Sequence, residues 1–328
     1  MQNLILHMGP HKTGSTYLQK CFHEKSQVLS QSDIIYPKNY YLFYGHHYLL
    51  NALNGQDDVE DVKSTLLNNT DSFKNVLLSS ENFISLSKHG LEKLLKISEG
   101  MKVTLVYYIR RPSLRLLSRW QEEIKHGGLD SVDSYFTAHL FKPMQSPEVN
   151  NFKRINLALN IFGRESVRII DYDAANDSNE MLRTFFKALD LEPVIKDEVQ
   201  VINKMVDLSE IEIIRYINHR AKSENILSGS NVRESYFRNR DESIQLIENI
   251  VLKVKTYNKA IELGDTGFDK NIYNVMNEQY SDLLVNEASN PKRVSKEVPS
   301  TNWLLNPGIV SDVEKLSNVI LSSLRGKK

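Results

Sequence analysis

The residues best suited to chemistry lie between a short apolar run near the N-terminus and the amphipathic segment that follows it. This stretch, residues 7–19, reads HMGPHKTGSTYLQ and holds two glycines, one lysine and three Ser or Thr hydroxyls. Backbone N–H groups at a helix start attract anions, because they have no intrahelical acceptor and the helix dipole favours negative charge there. Lys12 adds a full positive charge, so we predict an anion cradle. The simpler alternative is a basic turn in which Ser or Thr caps a helix.

The glycine spacing is that of a Walker A phosphate loop, but the lysine is displaced. Gly9 and Gly14 have the G-x-x-x-x-G spacing, whereas Ser15 follows Gly14 where a Walker A motif has lysine and then Ser or Thr. The lysine lies inside the loop instead, at Lys12. A kinase or NTPase with a degenerate phosphate loop therefore stays open as an alternative.

The elements around this loop predict a doubly wound α/β fold. Apolar runs predict strands at residues 4–6, 76–81, 103–109 and 167–170, with a short extended segment at 33–37. Amphipathic spacing predicts helices at 91–97, from Pro112 onward, and at 131–142, 152–162 and 181–189. This alternation favours a mainly parallel sheet, in which ligands bind at the carboxyl ends of the strands. Four candidate residues lie at or after the predicted strand ends: Lys12, Glu81, Arg110 and Tyr172.

Beyond residue 202 the pattern becomes helical. Helices are predicted at 209–221, 243–263, 269–285 and 311–324, and a loop at 289–300. We therefore divide the chain into an α/β core, residues 1–202, and a helical region, residues 203–328, which packs on the core or continues it. The basic stretches 233–240 and 292–296 lie in the second part.

A second motif follows the strongest predicted strand. It reads RRPSLRLLS, with Arg110 at the strand end and Ser118 eight residues later, about two turns into the next helix. Arginine suits a phosphate group because its planar fork donates hydrogen bonds in pairs. The alternative is that Arg110 and Arg111 are solvated and that Ser118 is an ordinary helix serine.

Together the two motifs resemble those of the PAPS-dependent sulfotransferases. K-T-G-S-T resembles their 5′-phosphosulfate loop, and R-x-P-x5-S resembles their 3′-phosphate motif. The resemblance covers roughly residues 3–192 and is closest to the bacterial and carbohydrate-type enzymes, whose loop often reads H-x-G-x-x-K-T-G-T/S-T. It implies the P-loop-like sulfotransferase fold, PAPS as co-substrate, PAP as product and no metal. The K-x-x-G-D-W-K-N type segment of the cytosolic enzymes is absent, so 233–240 and 292–296 are the candidates for enclosing the nucleotide.

The resemblance also implies residue roles. Lys12 would contact the bridging oxygen and stabilise the departing phosphate. The residues implied to bind the nucleotide are His11, Thr13, Gly14, Ser15 and Thr16 in the loop, Arg110 and Ser118 at the 3′-phosphate, and Tyr172 near the adenine. The acceptor would be a hydroxyl, and at the family level a saccharide hydroxyl.

The acceptor hydroxyl needs a general base within hydrogen-bond reach. Glu81 is the first candidate because it ends the second buried strand, where related sulfotransferases place a catalytic His or Glu. His47, beside His46 in a tyrosine-rich segment, is the second. Glu81 could instead form an ion pair with Lys12 or Arg110, and the histidines could serve packing. If neither acts as a base, the chain is a catalytically inactive nucleotide-binding module.

Composition excludes several other classes of protein. Lysine plus arginine equals aspartate plus glutamate, 41 each, so no overall field attracts nucleic acid or a membrane surface. The single cysteine, Cys21, excludes an internal disulfide framework and a cysteine metal cluster. No apolar run reaches about 18 residues, and the first strand begins about three residues from the N-terminus. We therefore expect no membrane span, no signal peptide and a cytoplasmic location.

Overall fold

The computed structural model describes residues 1–197, 206–226, 229–287 and 292–325. Its strands are β1 (Asn3–Met8), β2 (Ile34–Ile35), β3 (Asn75–Ser79), β4 (Lys102–Ile109), β5 (Val167–Asp171), β6 (Lys259–Leu263) and β7 (Val294–Val298). The first α-helices are α1 (Ser15–Glu24), α2 (Ser26–Gln31), α3 (Leu49–Asn54), α4 (Val59–Leu66), α5 (Lys88–Ile97), α6 (Pro112–Lys125), α7 (Val132–Phe141), α8 (Phe152–Phe162), α9 (Tyr172–Asp177) and α10 (Met181–Lys187). The later ones are α11 (Leu208–Ser223), α12 (Ser230–Arg238), α13 (Ile244–Lys255), α14 (Gly267–Gln279) and α15 (Pro307–Arg325). In the part of the chain that is described, every helix is too short or too polar to cross a bilayer.

Five strands form one parallel sheet in the order β2-β3-β1-β4-β5. The central strand β1 pairs His7 with Ser79 of β3 on one side and with Val106 of β4 on the other. Because every pairing is parallel, all carboxyl ends of the strands lie along one edge. The strand order reverses between β1 and β4, which is the position where such sheets bind ligands. The predicted α/β fold, a mainly parallel central sheet flanked by helices, is confirmed.

The central strands form where the sequence is apolar on both faces. All residues of β1 after Asn3, and all residues of β4 after Lys102, are buried. Strands covered on both faces read as continuous apolar runs, because no side points to water. One face packs into a core that includes Ile5, Phe22 and Phe185.

Contacts within the chain divide it into two compact units that interleave in sequence. The first comprises Met1–Arg111, Asn151–Ile202 and Lys270–Asn290 and contains the parallel sheet. The second comprises Pro112–Asn150, Asn203–Asp269 and Pro291–Lys328. The division proposed from the sequence had a single boundary at residue 202, and it stays a prediction.

The second unit is mainly helical but also contains an antiparallel pair of strands, β6 and β7. Its core includes the buried indoles of Trp120 and Trp303. The helix predicted at 243–263 is wrong in its last part, because α13 ends at Lys255 and β6 follows. The loop predicted at 289–300 likewise contains β7. Both strands were missed because a long stretch with α14 separates them, so no hairpin turn marks their pairing.

Candidate active site

The loop between β1 and α1 turns through two residues in the left-handed region. These are Lys12, with φ +69°, and Gly14, with φ +76°. Gly14 caps α1 without a side-chain hydrogen bond, and no acidic residue lies in the first turn of that helix. Because the positive φ of Gly14 strains a residue with a side chain, glycine is favoured at this position, and a Cβ there would also lie 2.8 Å from Met181 Cε and 3.0 Å from Tyr172 Cε2. The first-turn N–H groups of α1 therefore face the loop without a side-chain cap, as an anion site needs.

Hydrogen bonds of two buried side chains, Thr13 and His7, hold the loop and the strand that leads into it. The Thr13 hydroxyl donates a 2.6 Å hydrogen bond to the carbonyl oxygen of Pro10 and closes the turn. His7 is fully buried, with Nδ1 2.7 Å from the hydroxyl oxygen of Ser79 on β3. Burial lowers the pKa of His7 to about 4, although the charge of Glu81 acts in the opposite direction. His7 is thus a neutral core histidine beneath the loop.

Arg110 connects the carboxyl end of β4 to the loop. Its guanidinium donates a 2.7 Å hydrogen bond to the backbone carbonyl of Lys12. The same group lies 5.0 Å from the ring centre of Tyr172 and, through Nε, 3.6 Å from Asp173 Oδ1. Four residues singled out at strand ends and in the loop therefore lie together: Lys12, Gly14, Arg110 and Tyr172.

Asp173 is a member of this cluster that the sequence did not identify. It lies two residues beyond the end of β5, and its carboxylate accepts a 2.8 Å hydrogen bond from the N–H of Arg111. Burial raises the pKa of Asp173, while the charges of Arg110 and Arg111 oppose that shift. The run of acidic residues after β5 was visible in the sequence, but nothing there indicated which carboxylate would turn toward the arginines.

A second cluster surrounds Glu81. Glu81 begins a short 3-10 helix (Glu81–Ser85), two residues after β3 ends. The amide of Gln19 donates a 2.7 Å hydrogen bond to Glu81 Oε2, and His47 Nδ1 lies 4.0 Å from the same oxygen. His47 Nδ1 is also 2.8 Å from the hydroxyl oxygen of Ser80. The two candidate bases therefore lie side by side at the edge of the sheet.

The surroundings of Glu81 favour its ionised form. Burial raises its pKa, but the hydrogen bond from Gln19 and the neighbouring His47 and His11 outweigh burial and lower it. His11, a residue of the loop, is thus one of the groups that lower the pKa of Glu81. Gln19, 2% exposed on α1, was not predicted from the sequence, because its neighbours Leu18 and Phe22 mark that helix face as apolar core.

His46 has a structural role. It is fully buried, its Nδ1 accepts a 3.1 Å hydrogen bond from the N–H of Ser79, and its Nε2 lies 2.9 Å from the carbonyl oxygen of Pro37. Since Nδ1 accepts, the ring proton is on Nε2 and is donated to Pro37. Burial lowers the pKa of His46 to about 3. Through these two hydrogen bonds the neutral imidazole of His46 connects the tyrosine-rich segment to Ser79 of β3. This connection positions the next residue, His47, beside Glu81.

Ser118 and the two basic stretches, which were predicted to help bind the nucleotide, belong to the second unit. Ser118 lies on α6, where its hydroxyl donates a 3.1 Å hydrogen bond to the carbonyl oxygen of Leu114. In the basic stretches, Arg240 lies 3.0 Å from Glu210, and Arg293 lies 2.6 Å from Glu262. The proposed roles of Ser118 and of both stretches in nucleotide binding stay predictions.

Comparison with known proteins finds a distant structural likeness. No protein-family model matches this chain, and no curated protein does. A solved structure described as a sulfotransferase from Alicyclobacillus acidocaldarius is similar at 14% sequence identity and a TM-score of 0.43. The match covers 65% of this chain and 90% of that one. At such a distance only this chain's own residues can support a function.

Proposed function

We propose that this protein is a PAPS-dependent sulfotransferase that moves a sulfuryl group to an acceptor hydroxyl on a saccharide. The observation that carries the proposal is the hydrogen bond from Arg110 to the carbonyl of Lys12, which ties together the two motifs of the resemblance. It does so between β1 and β4, where the strand order reverses. A cytoplasmic location and independence from metal belong to the same proposal.

The loop fits a phosphate ester. The N-terminus of α1 carries no side-chain cap and no acidic residue in its first turn. Lys12 supplies a cation, and Ser15 and Thr16 supply hydroxyls at the same helix end. We assign the 5′-phosphate to this helix end. Arg110 would add positive charge at the 3′-phosphate and hold Lys12 in place, while Asp173 offsets part of that charge.

The proposed reaction is an in-line displacement at sulfur. The acceptor oxygen forms a bond to sulfur while the bond from sulfur to the 5′-phosphate oxygen breaks, giving a sulfate ester and PAP. Lys12 would stabilise the charge that develops on the departing oxygen, and the acceptor proton would pass to Glu81. Such transfers depend mainly on positioning and electrostatics. A sulfuryl group carries less charge than a phosphoryl group, so a lysine and backbone amides can suffice.

Glu81 is our first choice of base because its environment keeps it ionised. The hydrogen bond from Gln19 lowers its pKa and also fixes the carboxylate. His47 is the second choice, since its imidazole lies in the same cluster, 4.0 Å from Glu81.

The tyrosine-rich segment supplies candidates for binding the acceptor. Phe43 is 82% exposed and Tyr48 is 51% exposed. Gly45 lies between them in sequence and packs closely on the residues around Glu81. A Cβ at Gly45 would lie 2.9 Å from both Gln19 Cδ and His47 Nε2. Aromatic faces are negatively polarised and attract the C–H groups of a sugar ring. We therefore propose that a saccharide approaches along this segment.

The test is transfer of ³⁵S from labelled PAPS to an array of saccharides. Glu81→Gln should reduce transfer by about 10²- to 10⁴-fold, the usual contribution of a general base, and leave PAP affinity unchanged. Glu92→Gln, on the exposed face of α5, is the matched control. A loss in His47→Gln but not in Glu81→Gln would make His47 the base. PAP binding without transfer to any saccharide would favour the inactive binding module.

Metal independence has its own measurement. In the described ranges, no three His, Cys, Asp or Glu side chains are grouped as a metal site. We propose that Lys12 and backbone amides supply the charge stabilisation without a metal, so transfer should continue in excess EDTA. Loss of transfer on chelation, with recovery on adding magnesium, would contradict this part of the proposal.

A further inference from the structure

A cavity of about 470 Å³ lies among residues of the second unit. One wall is α7, and the others come from β6, β7 and the beginning of α14. The side chains that matter most are Val132, Phe136 and Leu140 on α7, Ile261 and Leu263 on β6, and Phe268. The three residues on α7 follow one another at intervals of four, so they lie on one face of the helix. The two residues on β6 are two positions apart, so they lie on one face of the strand. The cavity is therefore walled by two apolar element faces.

Two hydroxyls of the lining, those of Ser113 and Thr266, are already used within the protein. The Ser113 hydroxyl donates a 2.7 Å hydrogen bond to Asp269 Oδ2 and accepts one of 2.7 Å from the N–H of Gly264. The Thr266 hydroxyl donates a 2.6 Å hydrogen bond to the same carboxylate oxygen. Asp269 is fully buried, and its carboxylate accepts several hydrogen bonds from the protein. Its charge is therefore stabilised without a bound ligand. A bound molecule would meet mainly apolar surface.

The charges of the lining are balanced by partners. Asp133 lies 2.6 Å from Lys259, and Glu262 lies 2.6 Å from Arg293. Each carboxylate therefore has a cation in contact. Because burying an unpaired charge beside these pairs would be costly, a neutral ligand fits best.

Some apolar side chains that line the cavity are also exposed to solvent. At the end of α7, Leu140 is 39% exposed and Phe141 is 78% exposed, and both line the cavity. Water in an apolar pocket lacks hydrogen-bond partners, so an apolar molecule displaces it favourably. A ligand that filled the cavity would cover these two side chains as well.

We propose that this cavity is a binding site for a small neutral molecule with a hydrocarbon or aromatic body. Its volume lies within the range of about 300–1,000 Å³ typical of ligand pockets, and its lining has their apolar character. A protein partner is a poorer fit, since a stable interface needs about 800 Å² of surface on each side and this feature is a concave pocket. The site does not depend on the proposed sulfotransferase activity.

The test uses the neutral fluorescent probe N-phenyl-1-naphthylamine, with 1-decanol as competitor and no nucleotide present. The probe should bind the wild-type protein saturably at one site, and decanol should displace it. Thr137→Phe places a ring in the cavity from an exposed position on α7. Ala138→Phe, the next residue on the same helix and outside the lining, is the control.

We expect Thr137→Phe to weaken probe binding at least about tenfold and Ala138→Phe to leave it unchanged. Absence of saturable binding to the wild type, or equal binding by both variants, would overturn the proposal. Displacement of the probe by PAP would also overturn it, because the cavity would then belong to a nucleotide site. One more result would overturn the proposal: the wild type self-associates, Thr137→Phe abolishes that association, and the probe does not bind. The occupant of the cavity would then be a second copy of the chain.

Discussion

The guanidinium of Arg110 lies 2.7 Å from the backbone carbonyl oxygen of Lys12, to which it donates a hydrogen bond. Lys12 has a φ of +69°, a left-handed conformation that costs a residue with a side chain about 1–2 kcal/mol. The hydrogen bond from Arg110 stabilises the orientation that the Lys12 carbonyl has in this left-handed conformation. Arg110 thereby helps to position the loop. Arg110 therefore organises the candidate site in addition to supplying charge.

Arg110→Ala should weaken PAP binding by about 10- to 100-fold, because a hydrogen bond from a charged donor contributes about 1.5–3 kcal/mol. Calorimetric titration measures this. The control is Arg154→Ala, which removes a similar bond, 2.6 Å to the carbonyl oxygen of Leu86, elsewhere in the first unit. The control should lose stability and keep its PAP affinity. Equal PAP affinity in Arg110→Ala and the wild type would remove Arg110 from the site.

Gln19→Leu should raise the pKa of Glu81, because it removes a hydrogen bond that favours the ionised carboxylate. If Glu81 is the base, the acid limb of kcat/KM against pH should move to higher pH, and PAP affinity should stay unchanged. Gln31→Leu, at an exposed position ending α2, is the control. An unchanged acid limb in Gln19→Leu would argue against Glu81 as the base.

His46 should make stability depend on pH. Its pKa is lowered by burial to about 3 in the folded protein, against an ordinary value of 6.5. The unfolded chain thus binds the proton more tightly, so stability is complete above about pH 6.5 and falls as pH decreases toward the folded pKa. The advantage of the wild type over His46→Asn should shrink by about 1.4 kcal/mol per pH unit between pH 6 and 4.

Urea unfolding at several pH values measures this change. Gln31→Leu, which changes no titrating group, should differ from the wild type by the same amount at every pH. A constant difference for His46→Asn as well would contradict a neutral buried His46.

Phe43→Asn should stabilise the protein. Phe43 has a φ of +56° in a tight turn closed by hydrogen bonds between Leu42 and Gly45, yet its side chain is 82% exposed. Asn tolerates the left-handed region better than Phe, so the free energy of unfolding should rise by about 0.5–1 kcal/mol. Phe43→Ala, which removes the ring but not the strain, should show no gain. A loss of stability in Phe43→Asn would mean that the ring packs in the folded protein.

The sequence could predict which residues meet at the candidate site because parallel sheets place strand ends together. Arg110 and Tyr172 follow β4 and β5, and Lys12 lies in the loop after β1, so the alternation of elements was sufficient to bring them to one edge. Glu81 was predicted by the same rule, although β3 ends two residues before it.

The partners of these residues could not be predicted, because they depend on tertiary packing. Gln19 lies on a helix face that reads as apolar, and it contacts Glu81 across 62 positions of the chain. Asp173 turns toward the arginines only once β4 and β5 pair. The pairing of β6 with β7 was also hidden, since each strand is short and their separation along the chain removes any turn signal.

The most direct measurement is calorimetric titration with PAP in the absence of magnesium, beside ATP in its presence. We expect PAP to bind the wild type tightly without magnesium. Lys12→Ala should lose this binding, whereas Lys74→Ala, at a side chain that is 79% exposed, should retain it. Absence of PAP binding, together with magnesium-dependent binding of ATP, would contradict the sulfotransferase proposal and favour a kinase or NTPase.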